Sequence, residues 1–156
     1  MSLTLDDVDL ELLQRLRDDG RASVTALARE LHLSRSAVHQ RLNTLEEAGA
    51  LRGFAPMVDA AKLGNGVAAF VLLSAGPGAR LEMEPLRDQL LRLPHVEYAA
   101  LVTGDADVLL LVRVKGLDEL RVFLLEELRA ITGLRGTLTL LVLDEVIRRP
   151  FLLPGE

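Results

Sequence analysis

The chain has 156 residues, enough for one domain or two small ones, and about half of them are apolar; with Trp absent and aromatics few, Leu, Val and Ala must do the packing. It has no cysteine, which excludes disulfides and thiolate metal sites and suits a reducing cytosol. The net charge of −5 argues against indiscriminate nucleic-acid binding through a uniformly basic surface.

At the amino end, Asp6, Asp7, Asp9 and Glu11 interrupt any signal peptide. Apolar runs such as Val67–Leu73 are too short to cross a bilayer, so no membrane partner and a cytoplasmic location are expected. Asp6 is suited to cap a first helix, with Asp9 as its capping-box partner. Val8, Leu12 and Leu16 then repeat at helical spacing, and Gly20 stops the helix. Ser23 can cap a second helix with Leu27, Ala28 and Leu31 on one face. Ser34 can cap a third, in which Ala37, Val38, Leu42, Leu45 and Ala48 share a side until Gly49 ends it. The segment Ala50–Asp59 reads as a short strand or wing, with Pro56 holding it to a sheet edge.

The second half alternates between strand and helix patterns. Val67–Ser74 predicts a buried strand and Gly76–Gly78 a turn. Met83, Leu86, Leu90 and Leu93 predict an amphipathic helix ending before Pro94. Val96–Thr103 and Val108–Val114 predict two strands around a tight turn at Gly104-Asp105-Ala106. Leu117, Leu120, Leu124, Leu128 and Ile131 predict a long helix stopped by Gly133, and Thr137–Ile147 a last strand. The order βαββαβ is ferredoxin-like, so the fold class is α+β. Both helices then lie on one sheet face. The other is left apolar, with Leu109, Leu111, Leu138, Leu140 and Val142 as candidates, which calls for a covering partner and predicts a homodimer packed sheet to sheet.

The stretch Leu31–Leu45 carries the chemistry. A small apolar helix, a tight turn and a helix with one polar face form the pattern by which a helix-turn-helix presents its second helix to the major groove. Ser34, Arg35, Ser36, His39, Gln40 and Asn43 can hydrogen-bond base edges or phosphates, with Arg35 the first candidate for a guanine or phosphate. Arg41 has two readings. It is a DNA contact, or a half-buried arginine whose stem packs and whose head pairs with an acid. Between Arg21 and Gly53, five arginines face three glutamates, a local excess of +2, so affinity is expected to rely on several copies of the binding unit.

The order Leu5-Asp6…Asp9, Gly20-Arg21…Ser23, Leu33-Ser34, Arg41-Leu42…Leu45, Glu47-Ala48-Gly49, Gly53-Phe54 resembles the Lrp/AsnC family of bacterial and archaeal transcription regulators. The resemblance covers nearly the whole chain. It implies a winged helix-turn-helix DNA-binding domain over residues 1–60, with the helix-turn-helix at about 24–43. It further implies a linker at 61–66, an effector-binding and oligomerisation domain over 67–150, and a tail at 151–156. Dimers that assemble further, up to octamers, and an amino-acid or related small-molecule effector bound between dimers also follow from it. Gly104 and Asp107 fit the family's G-x-x-D effector signature. His32 stands where the family often has Gly, Phe54 where Tyr is common, and Ala106 and Val108 replace bulkier residues.

A carboxylate and backbone N–H groups at the 104–107 turn suit the ammonium and carboxylate of a free amino acid, and Thr103, Thr137 and Thr139 add hydroxyls. The plainer readings are turn chemistry for Asp105 and Asp107 and ordinary strand threonines. His32, His39 and His95 lack the spacing and partners of a metal site, and no phosphate loop or nucleophile–base–acid grouping stands out. No metal, cofactor or catalytic residue is therefore expected. The partners expected are double-stranded DNA, further copies of the chain and a small-molecule effector. The competing functions are a ligand-independent architectural DNA-binding protein and a small-molecule sensor acting through protein contacts.

Overall fold

The computed structural model describes residues 4–76, 83–131, 133–146 and 150–155. The chain divides into two units, one of residues 1–57 together with 146–156, the other of residues 58–145.

In the first unit, three helices form where their caps lie. Helix α1 (Asp7–Asp18) begins with a reciprocal capping box: the Asp9 N–H donates to Asp6 Oδ1 at 2.8 Å and the Asp6 N–H to Asp9 Oδ2 at 3.1 Å. Ser23 Oγ caps α2 (Val24–Glu30) and Ser34 Oγ caps α3 (Arg35–Glu47), each accepting an N–H at 3.1 Å. Leu12, Leu13 and Leu16 of α1, Leu27 and Ala28 of α2, and Val38 and Leu45 of α3 form one buried cluster. Gly49, at φ +70, turns the chain out of α3.

No strand follows. Ala50 and Leu51 donate back to the Leu45 carbonyl at 2.9 and 3.0 Å, and Phe54, Met57 and Val58 stand exposed. The wing expected at Ala50–Asp59 is thus not formed as a strand, because a strand needs a ladder partner and the pairing among the described residues is confined to the second unit's sheet. The stretch expected as a linker, 61–66, takes part in a tight turn. Asp59 Oδ1 accepts from the Ala61 and Lys62 N–H groups, and the Asn65 N–H reaches the Ala60 carbonyl at 2.9 Å. The tail expected at 151–156 is not a loose end either. Leu153 packs against the helical core, and the Phe151 ring lies 5.7 Å from the Arg17 guanidinium carbon.

The second unit is a four-stranded antiparallel sheet in the order β2-β3-β1-β4, with β1 Val67–Ala75, β2 Val96–Leu101, β3 Val108–Val114 and β4 Leu134–Leu141. Alternation divides its faces. Ala69, Val71 and Leu73 point the same way as Val108, Leu110, Val112 and Val114, and all are fully buried. Leu86 and Leu90 of α4 (Met83–Arg92) and Leu120 of α5 (Leu117–Val122) cover them, together with Phe123, Leu128 and Ile131 just beyond. The opposite face carries Phe70, Leu72, Tyr98, Leu109, Leu111, Leu138 and Leu140 in cross-strand register, and Tyr98, Leu138 and Leu140 are exposed.

Several boundaries differ from the sequence expectation; β2 ends at Leu101 rather than Thr103, where its ladder with β3 reaches Val108, the first residue of that strand. The long helix through Ile131 is regular only to Val122. It then widens into a π turn (Phe123–Glu127) and tightens into a 3-10 turn (Leu128–Ala130). The Leu128 N–H donates to the Phe123 carbonyl, and that five-residue step brings two core residues onto the same side. Strand β4 starts and ends earlier than the expected Thr137–Ile147. Leu134 still pairs with Ala75 across a bulge, whereas past Leu141 the partner strand β1 runs out at Val67. Ile147 and the second and third residues of the expected Gly76–Gly78 turn lie outside the described residues.

Candidate nucleic-acid interface and effector pocket

Helix α3 is built to be held on one side and open on the other. Val38 and Leu45 are buried, while Ser34, Arg35, Ser36, His39, Gln40 and Asn43 are exposed along the opposite edge. The turn into α3 is fixed by Leu33 donating to the Ala28 carbonyl at 2.8 Å. His32 sits there at φ +55, the left-handed region that a non-glycine residue enters at a cost. Ser34 Oγ shares a 2.9 Å hydrogen bond with Ser36 Oγ, so the first turn of α3 presents two linked hydroxyls beside Arg35. Arg21, Arg29 and Arg52 are also exposed in this unit.

Arg41 stands apart from that edge. Its Nη1 donates to Asp6 Oδ1 and Oδ2 at 2.9 and 2.8 Å and to Asp9 Oδ1 at 2.6 Å. These are the two carboxylates of the α1 capping box, so Arg41 ties α3 to the start of α1. Donating to the Asp9 carboxylate first and then to that of Asp6 stabilises its charged form and raises its pKa. The Asp9 N–H and then the Arg41 guanidinium hold the Asp6 carboxyl below its ordinary value of 3.8. Of the two sequence readings, the packed, acid-paired arginine is the arrangement observed in the chain without DNA, where Arg41 supports α3.

The six expected effector residues do not converge. Gly104, at φ +128, makes the turn that glycine permits. Asp107 is committed to the turn: its Oδ2 accepts the Ala75 N–H at 2.7 Å and its own N–H donates to the Leu73 carbonyl at 2.9 Å, stapling the start of β3 to the end of β1. Thr103 and Asp105 line a hollow of about 340 Å³ with Ser74, Leu72, Leu109 and Leu138, on the uncovered sheet face. Ser74 Oγ donates to the Asp105 carbonyl at 2.9 Å and helps shape that wall. Thr137 and Thr139 pair with Leu73 and Val71, which places them on the helix-covered side. Thr137 there lines a second hollow, of about 460 Å³, with Arg129 and Arg135. One expected set is therefore divided between the two faces of the sheet, as strand alternation requires.

The sequence reading missed three further features. Arg113 pairs with Glu97 and, at 2.5 Å, with Glu145, and Glu145 first among its neighbours raises its pKa. No periodic signal marks that trio, which the fold brings together from distant positions. The docked tail and the two arginines of the larger hollow were also invisible. Among the described residues no cluster of potential metal ligands occurs, and no helix is long and apolar enough to cross a membrane.

Comparison with known proteins bears on both units. The family model for the AsnC-type helix-turn-helix domain matches residues 5–46, and that for the Lrp/AsnC ligand binding domain matches residues 68–152. The chain belongs to the Lrp/AsnC family. An uncharacterised HTH-type transcriptional regulator of Pyrococcus abyssi is 34% identical over 135 residues, covering 86% of this chain and 84% of the relative. A transcriptional regulator of Neisseria meningitidis, solved as a complex with L-Met, superposes with a TM-score of 0.86 at 28% identity, covering 97% of this chain and 98% of the other. The leucine response regulatory protein of Mycobacterium tuberculosis superposes with a TM-score of 0.80 at 29% identity, covering 92% and 95%. As a member of the Lrp/AsnC family the protein is a transcriptional regulator, not an enzyme, with a helix-turn-helix domain and a ligand-binding domain.

Proposed function

We propose that this regulator binds DNA sequence-specifically through the exposed edge of α3, and that an amino acid or related small molecule alters its assembly or its DNA affinity. The observation that carries the reading is the division of α3 into a buried apolar side and a continuous exposed polar side beginning at its capped N-terminus. Ser34, Arg35, Ser36, His39, Gln40 and Asn43 make the contacts. The base-reading residues lie toward the amino end of the helix, and a good bidentate contact there discriminates by about 1–3 kcal/mol.

The exposed Tyr98, Leu138 and Leu140 support a homodimer packed sheet to sheet. A dimer reads two half-sites roughly 34–36 Å apart, and assembly to an octamer offsets the modest charge of each unit. The setting is the cytoplasm, where DNA and free amino acids meet. The ligand-binding family match and the L-Met complex of the Neisseria protein support an amino-acid effector.

A thermal-shift screen of the twenty amino acids, followed by gel shifts on the gene's own upstream DNA, tests the reading. An effector at 100 times its dissociation constant stabilises the protein by about 2.7 kcal/mol and changes the DNA affinity or the oligomer. Binding to upstream and random DNA with equal affinity across salt concentrations would favour an architectural role instead. Ligand binding without any DNA binding would favour a sensor acting through protein contacts.

A further inference from the structure

The chain beyond β4 is anchored at two places, one in each unit. In the second unit, Arg113 of β3 donates through Nη2 to Glu145 Oε2 at 2.5 Å and through Nε to Glu97 of β2, and its side chain is only 18% exposed. Glu145 is the last residue of that unit. Six residues on, in the helical unit, the Phe151 carbonyl accepts from Arg17 Nη1 at 3.4 Å, and the Phe151 ring lies 5.7 Å from the same guanidinium. The Arg17 side chain is 6% exposed there, whereas that of Arg15, one turn end earlier on α1, is 43% exposed. Leu153 completes this anchor by packing on the helical core, and Val146, between the anchors, is exposed. The earlier crossing is held differently. The Leu51 N–H is fixed to the Leu45 carbonyl and Asp59 opens the next turn. Residues 52–58 between them make no backbone hydrogen bond with another described residue.

We propose that residues 145–153 are a strap of fixed length that positions the DNA-binding unit. Arg113 pins one end, Arg17 and the helical core pin the other, and the strap limits how far α3 can travel from the ligand-binding unit of its own chain. The limit follows from chain geometry. Six residues extend at most about 20–22 Å, and the eight from Leu51 to Asp59 about 26–29 Å. A body held by a single connection swivels about it. Held by two, attached at different elements, it can only swing about the line that joins them. The orientations open to α3 are thereby fewer before DNA is met, so less entropy is lost on binding. The inference goes beyond the reading above, because it concerns where the reading helix can go whatever the effector is.

The chain has no cysteine, so Gln14→Cys in α1 and Arg121→Cys in α5, both exposed positions, give unique sites for a pair of spin labels. Pulsed electron–electron resonance on labelled chains diluted with unlabelled ones reads the distance between the units of one chain. The native strap should give a narrow distribution. An insertion of about eight Gly and Ser residues directly after Val146 keeps both anchors and lengthens only the strap, and it should widen the distribution by up to about 15 Å while the thermal melt stays in place. Phe151→Ala/Leu153→Ala, which opens the helical anchor, should widen it too and should lower the melt of the helical unit. The insertion variant should also bind the gene's upstream DNA about tenfold more weakly, because the freed unit must be ordered on binding. A distribution unchanged by the insertion overturns the strap, and so does a wild type already as broad as the variant. A widened distribution with unchanged affinity for the upstream DNA overturns its positioning role. Failure of the wild type to bind that DNA at all counts against the function proposed above, and the distances then still decide the strap.

Discussion

At the residue scale, the division of labour on α3 turns on a single side chain. The sequence leaves Arg41 two readings, a DNA contact or a half-buried arginine paired with an acid, and in the structure its guanidinium is occupied by the two carboxylates that start α1. Its replacement by Ala should cost stability, about 1 kcal/mol once the exposure of its partners is allowed for, and should weaken DNA binding only as far as α3 loosens. Arg35→Ala should do the reverse, leaving the melting temperature in place and weakening specific binding. The Asp6 pairing also has a pH signature. Its folded-state pKa is lowered, so its contribution is fully present above 3.8 and is lost as pH falls through the lowered value. The stability deficit of Asp6→Asn, measured by urea melts, should therefore narrow as pH is taken below 3.8.

At the element scale, the features legible in the sequence are those with local causes. Ser23, Ser34 and the Asp6–Asp9 pair announce three helix starts because a cap acts over three residues. The short, near-continuous apolar runs of β1 and β3 announce buried strands because only a strand covered on its faces keeps apolar residues at every position. What was not legible depends on partners distant in sequence. Among the described residues the wing has no strand to pair with, β4 is bounded by the length of β1, and the effector residues were grouped by chemistry, whereas the register and the hollows place them on different faces. His32 lies between the two cases. The sequence marked it as a turn residue where glycine is usual, and the structure holds it at φ +55. His32→Gly should remove that strain and raise stability by about 0.5–1 kcal/mol net of the added chain entropy, read from thermal melts. The uncovered sheet face gives a second prediction at this scale. Leu138→Glu/Leu140→Glu places charges among Phe70, Leu72 and Leu111, and sedimentation velocity should show the proposed dimer of the wild type and a folded monomer of the variant.

At the scale of the whole molecule, the polypeptide passes between its two units twice, between residues 57 and 58 and again between 145 and 146. The last segment is part of the helical unit. The Phe151 carbonyl accepts from Arg17 Nη1 at 3.4 Å, its ring faces the same guanidinium, and Leu153 joins the core. A chain ended after Val146 should therefore melt earlier in its DNA-binding half, by about 1–3 kcal/mol in stability. The most direct measurement for the whole account is competition binding of the wild type and an Arg35→Ala/Gln40→Ala variant to the gene's upstream DNA against random DNA. The account predicts that the wild type prefers the upstream sequence by at least about 1000-fold. It predicts that the variant, still folded, loses most of that preference while keeping its weak salt-dependent binding. A variant that discriminates as well as the wild type would contradict the assignment of α3 as the reading helix.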